Sequence, residues 1–168
     1  TMFDSSSSMG ASTHADNLNA MAQALQSPAV QQLMFKGHYQ AIRLELTAWS
    51  TITQELIRPT LISKEDNGQN LSTFCANVRV WAGQYDGISI HSSTDTAMAM
   101  RVGLNKLLDP SRKAIRKTLN IVTDDDTTRF NNTEQMKIEQ KRAEEAGVTI
   151  NGVVIGNVNA MDHYFQKY

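Results

Sequence analysis

The chain is poor in the groups that most often announce a function. Its single cysteine, Cys75, excludes an internal disulfide, and one thiol decides nothing about compartment. Its four histidines, His14, His38, His91 and His163, show no HxxxH spacing and stand apart from Cys75 in sequence, so no zinc site of the usual kind is expected. No apolar run approaches the roughly 20 residues of a membrane-spanning helix, which argues against a direct membrane span. Sixteen basic residues against seventeen acidic, a net charge of −1, supply no bulk field for nucleic acid. Only three prolines and nine glycines occur in 168 residues, which excludes a low-complexity chain. No general base, activated nucleophile or substrate pocket can be assembled from the residues, so no enzyme is expected.

What is present is a chain with 40% hydrophobic and 20% charged residues, long enough to bury a core as a single domain over 1–168. TMF before Asp4 reads as the end of a short buried strand. DNLNAMAQALQ, with Asp16 as N-cap, sets Leu18, Met21, Ala22 and Leu25 on one helical face. Pro28 opens a second short turn, PAVQQLMF, stopped by Gly37. In YQAIRLELTAWS, apolar Ile42, Leu44 and Leu46 alternate with Arg43, Glu45 and Thr47, which predicts a strand with one dry and one wet face. TITQELIRPTLI follows as an edge strand, because Pro59 cannot serve a central ladder. LSTFCANVRVWAGQY is a helix with Leu71, Phe74, Cys75, Val78 and Trp81 inward. TDTAMAMRVGLNKLLD is another, with Met98, Val102, Leu107 and Leu108 as its apolar residues and a stop at Asp109 and Pro110. KTLNIVT is a strand running into Asp124–Asp126, TEQMKIEQKRAEEAG a charged helix closed by Gly147, and VTINGVVIG a buried strand. The alternation of strands and helices predicts an α/β fold with a doubly wound, mostly parallel sheet, one antiparallel edge strand and helices on both faces.

In such sheets ligands gather at the carboxyl ends of the strands. The opening stretch TMFDSSSSMG places Asp4, Ser6 and Ser8 just past the first strand, Asp124 ends a later one, and Ser93 and Thr94 lie in a loop before a helix. Three oxygen-rich loops therefore have reason to meet. Two aspartates with hydroxyl groups suit Mg²⁺, with Mn²⁺ or Ca²⁺ as substitutes, better than Zn²⁺, which favours histidine and cysteine.

The series Asp4-x-Ser6-x-Ser8, then Thr94, then Asp124 after a hydrophobic strand resembles the metal-ion-dependent adhesion site of von Willebrand factor A-like domains. QSPAVQQLM, LTAWS, STDTAMAM, NIVTDDD and EEAGVTINGVVIG are similar, in order, to segments of a bacterial exported subgroup of these domains. The resemblance implies that Ser6 and Ser8 bind Mg²⁺ through their hydroxyls. It implies that Thr94 binds directly or through water, and that Asp4 and Asp124 act largely through water. It further implies a binding module whose ion bridges to a carboxylate of a protein or peptide partner, in a periplasmic or extracellular setting. An exported protein of this kind is expected to have lost its leader, since none precedes Thr1.

Three departures from the family pattern stand out. Ser7 occupies a position where many relatives have glycine, which predicts a loop of altered shape. Asp125 and Asp126 add charge after Asp124. The closing strand and helix expected after MDHYFQKY are missing, so a chain trimmed at its C-terminus is expected.

Competing readings exist for each feature. SSSS near a terminus is commonly linker, and an acidic run is commonly a solvated loop or a helix cap. A strand followed by Asp124-x-Asp126-x-Thr128 also mimics the nucleophile motif of haloacid-dehalogenase-type phosphatases, making a Mg²⁺-dependent phosphohydrolase an alternative. That motif normally opens its domain and here falls late. A structural subunit of a larger assembly with a vestigial site is the remaining alternative. Cys75 on an apolar helical face reads as an inert core thiol, Trp49 and Trp81 as packing, and Lys137 and Lys141 near Glu144 and Glu145 as a salt-bridged exposed face. Asn70-Leu-Ser72 and Asn131-Asn-Thr133 fit the glycosylation pattern, a short match common by chance.

Overall fold

The computed structural model describes residues 1–36, 38–84, 94–124 and 133–155. The chain is α/β and Rossmann-like. Its strands are β1 (Met2–Asp4), β2 (Ala41–Trp49), β3 (Thr53–Ser63), β4 (Lys117–Thr123) and β5 (Val148–Val154). Its helices are α1 (Ala11–Gln26), α2 (Pro28–Met34), α3 (Gln69–Ala82), α4 (Thr96–Leu108) and α5 (Thr133–Glu145). The sheet order is β3-β2-β1-β4-β5. β1 and β4 pair in parallel, as do β4 and β5. Three residues join β2 to its neighbour β3, too few for a parallel crossover, so this pair is antiparallel. The order reverses at β1: later strands run out on one side to β3 and on the other to β5, which is the doubly wound pattern.

The chain divides into two compact units, one of Thr1–Met9, Ala48–Thr53 and Ser89–Tyr168, the other of Gly10–Thr47 and Gln54–Ile88. In the first, Leu119 and Ile121 of β4 pack with Met2, Trp49, Ala97, Met100, Leu104, Met136 and Ala143. Period-two alternation along β4 turns Leu119, Ile121 and Thr123 to this side. Gly103 lets α4 approach β4, because a methyl group there would collide with Leu119. In the second unit α1 packs on α3, burying Leu18 and Ala22 on one helix and Leu71, Phe74, Cys75 and Val78 on the other. The indole of Trp81 donates to the Leu56 carbonyl of β3 at 2.9 Å.

Several local expectations shift. α1 begins at Ala11 after Gly10, whose φ of 61° suits glycine, so Asp16 lies inside the helix and does not cap it. Burying His14, which lies N-terminal to Asp16, extends the inward face by a turn. Thr47 is buried, not wet, because the last four residues of β2 are enclosed on both sides. α4 turns Thr96, Ala97, Ala99, Met100, Gly103 and Leu104 inward, while Met98, Val102, Leu107 and Leu108 are half-buried. The small residues win that face because they allow the close approach to β4. β5 is an edge strand with only Val148 buried, not a buried strand. β3 is the other edge, as Pro59 predicts. Gly37, Ser93, Asp125, Asp126, Thr128 and Asn131 fall outside the described residues, as do His91, His163 and MDHYFQKY.

Candidate metal centre

Asp4 is the last residue of β1, and Asp124 the first after β4. The register pairs Met2 with Ile121 and Phe3 with Val122, so its continuation sets Asp4 beside Thr123. Both carboxylates thus emerge at the carboxyl ends of adjacent parallel strands, at the point where the strand order reverses. This is where loops leave in opposite directions and open a crevice.

Past Asp4 the chain is held tightly. Ser5 donates from its backbone N–H to the Trp49 carbonyl at 2.7 Å, and its hydroxyl donates to the same oxygen at 3.1 Å. Ser7–Met9 then form a single 3-10 turn, with Met9 buried as its anchor. Ser7 has no positive φ, so this loop closes without needing glycine there. The turn gathers alternate side chains: Ser6 Oγ lies 2.8 Å from Ser8 Oγ, and the Ser8 hydroxyl donates to Asp124 Oδ1 at 3.0 Å. The Ser6 N–H donates to Asp4 Oδ1 at 2.8 Å. A continuous polar chain therefore links Asp4, Ser6, Ser8 and Asp124, residues separated by up to 120 positions in sequence. Asp4 and Ser6 are buried, Asp124 is half-buried and Ser8 is exposed, so the cluster opens to solvent on one side.

Asp4 is fully enclosed. Burial pushes its carboxyl pKa up, hydrogen bonds from Thr123 and Ser6 oppose the rise, and the nearby Asp124 charge adds to it. Thr123 Oγ1 donates to Asp4 Oδ2 at 2.6 Å. The sequence reading missed Thr123. The signal was available, since a threonine in the inward register after Leu119 and Ile121 is a hydroxyl among apolar neighbours.

Thr94 is buried and immediately precedes Asp95, the N-cap of α4, whose carboxylate accepts the Met98 N–H at 2.8 Å. The Asp95 N–H donates to the Ser50 carbonyl at 3.0 Å. Ser50 follows Trp49, the residue that receives both donors of Ser5. The Thr94 loop and the Asp4 loop are thus tied to consecutive residues at the end of β2.

Among the described residues there is no cluster of three or more histidine, cysteine, aspartate or glutamate side chains. The donors here are hydroxyls and two carboxylates, the chemistry of a hard dication. Octahedral Mg²⁺ with bonds of about 2.1 Å places neighbouring ligand oxygens about 3.0 Å apart. The 2.8 Å from Ser6 to Ser8 and 3.0 Å from Ser8 to Asp124 are hydrogen-bond lengths, and they bring these oxygens as near one another as the neighbours around such an ion. The residues present fit the ion.

The fold and this cluster define a Rossmann-like α/β protein with oxygen-bearing side chains at its switch point. The sequence matches the family described as "Protein of unknown function (DUF1194)" over residues 2–168, and the chain belongs to that family. No curated protein matches it.

Proposed function

We propose that the chain is a Mg²⁺-dependent binding module of the von Willebrand factor A type, which recognises a carboxylate on a protein or peptide partner. The observation that carries this reading is the unbroken polar chain Asp4–Ser6–Ser8–Asp124 at the switch point, with oxygen spacings of 2.8 and 3.0 Å. Ser6 and Ser8 would hold the ion through their hydroxyls, Thr94 would join them directly or through water, and Asp124 would act largely through water. When bound, the Mg²⁺ would supply positive charge to meet the partner's carboxylate. Asp4 stays behind the hydroxyls, fixing Ser6 through its N–H and supplying negative charge from a water-poor position. Thr123 holds that carboxylate in one orientation.

No group among these is placed as an activated nucleophile. The Ser8 hydroxyl donates a hydrogen bond to Asp124, and among the described residues no histidine or cysteine groups with Asp4 and Asp124 to complete a relay. The reading is therefore of affinity, not turnover.

The test is capture of partners from the native source with and without Mg²⁺, using wild type, Asp4→Ala and Thr94→Ala. Wild type should retain its partner only with the ion, and each variant should lose it while its circular dichroism spectrum is unchanged. Retention in chelator would mean that the chain serves as a structural subunit with a vestigial site, and the metal reading would be wrong.

A further inference from the structure

At the opposite end of β4 from the carboxylates lies a loop of different character. Residues 109–116 join α4 to β4 in the sequence DPSRKAIR, and Lys117 begins the strand. Arg112, Lys113, Arg116 and Lys117 fall within six positions, and Lys106 sits in the last turn of α4. Between the cations stands Ile115, 74% exposed. Single exposed apolar residues are common. An isoleucine so fully exposed in the middle of four cations, on a chain whose net charge is −1, is a localised pattern.

Lys113, Ile115 and Arg116 are exposed, while Lys106, Arg112 and Lys117 are half-buried. Asp109 accepts from the Ser111 N–H at 2.8 Å and from the Ser111 hydroxyl at 2.7 Å, while the Arg112 N–H donates to the Asp109 carbonyl at 2.9 Å. That turn engages the one acid within the loop through Ser111, and Asp109 also faces the charge of Arg112. Other acids at this end are Glu144 and Glu145 at the end of α5, since Val148 pairs with Lys117. Glu145 lies 3.9 Å from Lys141 on its own helix. Lys113 and Arg116, exposed on either side of Ile115, carry the loop's outward positive charge, which acts over a Debye length of about 8–10 Å.

We propose that this loop is a docking surface for an anionic phospholipid bilayer, with Ile115 entering the headgroup region and the cations meeting lipid phosphates. The isoleucine is what favours lipid over an acidic protein or nucleic acid: cations alone serve any polyanion, whereas an exposed apolar tip gains most at an acyl boundary. The seven residues of β4 span about 23 Å at roughly 3.3 Å each. A chain docked through this loop would turn the Asp4–Asp124 crevice away from the membrane, towards a partner in solution.

The experiment is co-sedimentation with vesicles of phosphatidylcholine alone and with a phosphatidylglycerol admixture, in chelator so that the metal site takes no part. Wild type should partition onto the anionic vesicles only, and should be released as salt rises. Each cation near the surface contributes about fivefold in partition, so Lys113→Gln with Arg116→Gln should weaken binding by about 30-fold. Ile115→Ser should weaken it by about tenfold without altering the melting temperature, because the side chain is exposed. Absence of binding to anionic vesicles by the folded wild type would overturn the proposal. So would equal retention on heparin or polyglutamate beads by wild type and Ile115→Ser, together with unchanged vesicle binding of that variant. That result would identify a general polyanion patch.

Discussion

Asp4 is asked to remain a buried anion. Its pKa is raised from an ordinary 3.8, first by burial. A carboxyl whose pKa rises on folding favours the folded state only while it is protonated. That contribution is complete below 3.8 and is lost as pH rises through the elevated folded value. Ionising Asp4 therefore costs more in the metal-free fold than in the unfolded chain, and a bound dication would offset that cost. Asp4→Asn keeps an oxygen for the Ser6 N–H, and the Thr123 hydroxyl can turn to accept from the new amide. The variant should melt higher than wild type in chelator at pH 7, with the difference closing as pH falls towards the carboxyl range, and it should show no response to Mg²⁺. Thermal melts across pH would refute this if the variant were the less stable at neutral pH without metal. His14 carries the opposite sign: burial lowers its pKa, so its contribution is present above its ordinary 6.5 and fades as pH falls through the depressed value. Cys75 is likewise quiet, its thiol pushed up by burial and only partly drawn back by Arg79, as a core position predicts.

At the scale of elements, α5 is more than the solvated face that its charges suggest. Lys137 with Glu134 and Lys141 with Glu145 are exposed pairs of the expected kind. Glu139 is different, because it is 4% exposed and lies between two arginines. Arg101 of α4 reaches its Oε1 at 2.9 Å and Arg142 its Oε2 at 3.3 Å. The arginines extend outward to Gln135 and Asn105, so the pair of helices is laced by one network. Both arginines keep substantial contact with water, so the loss of Glu139 does not strand a buried cation. Glu139→Ala should lower stability by about 2 kcal/mol, the worth of charge-assisted hydrogen bonds. Lys141→Ala should cost no more than about 0.5 kcal/mol. Urea denaturation of both variants is the measurement, and equal effects would contradict the distinction drawn from burial.

For the whole molecule the consequential fact is that strand order reverses at β1, bringing Asp4 to the end of one strand beside Asp124 at the end of another. An ion held there would join segments 120 positions apart in the sequence, and it would bind the native state in preference to the unfolded one. Mg²⁺ at about 100 times its dissociation constant should therefore stabilise the wild type by about 2.7 kcal/mol. Calorimetric melts with and without the ion would read this as a rise in Tm, absent in Asp4→Ala. An identical Tm in both conditions would count against an ion at this site.

The α/β class was legible from periodicity, because alternation in KTLNIVT and helical spacing in LSTFCANVRVWA are written locally. Pro59 marked the edge strand for the same reason, as proline removes a ladder donor wherever it stands. Asp4, Ser6, Ser8 and Asp124 were legible as a set through resemblance, and the first three also through spacing along one loop. What the sequence by itself determined is thus the kind of element each segment forms and the chemistry each loop carries. Only the tertiary structure decided which of those loops meet. Thr123 as the partner of Asp4, the small-residue face of α4, and the exposure of β5 all follow from pairing and close approach between segments far apart in sequence, and such contacts leave no periodicity along the chain.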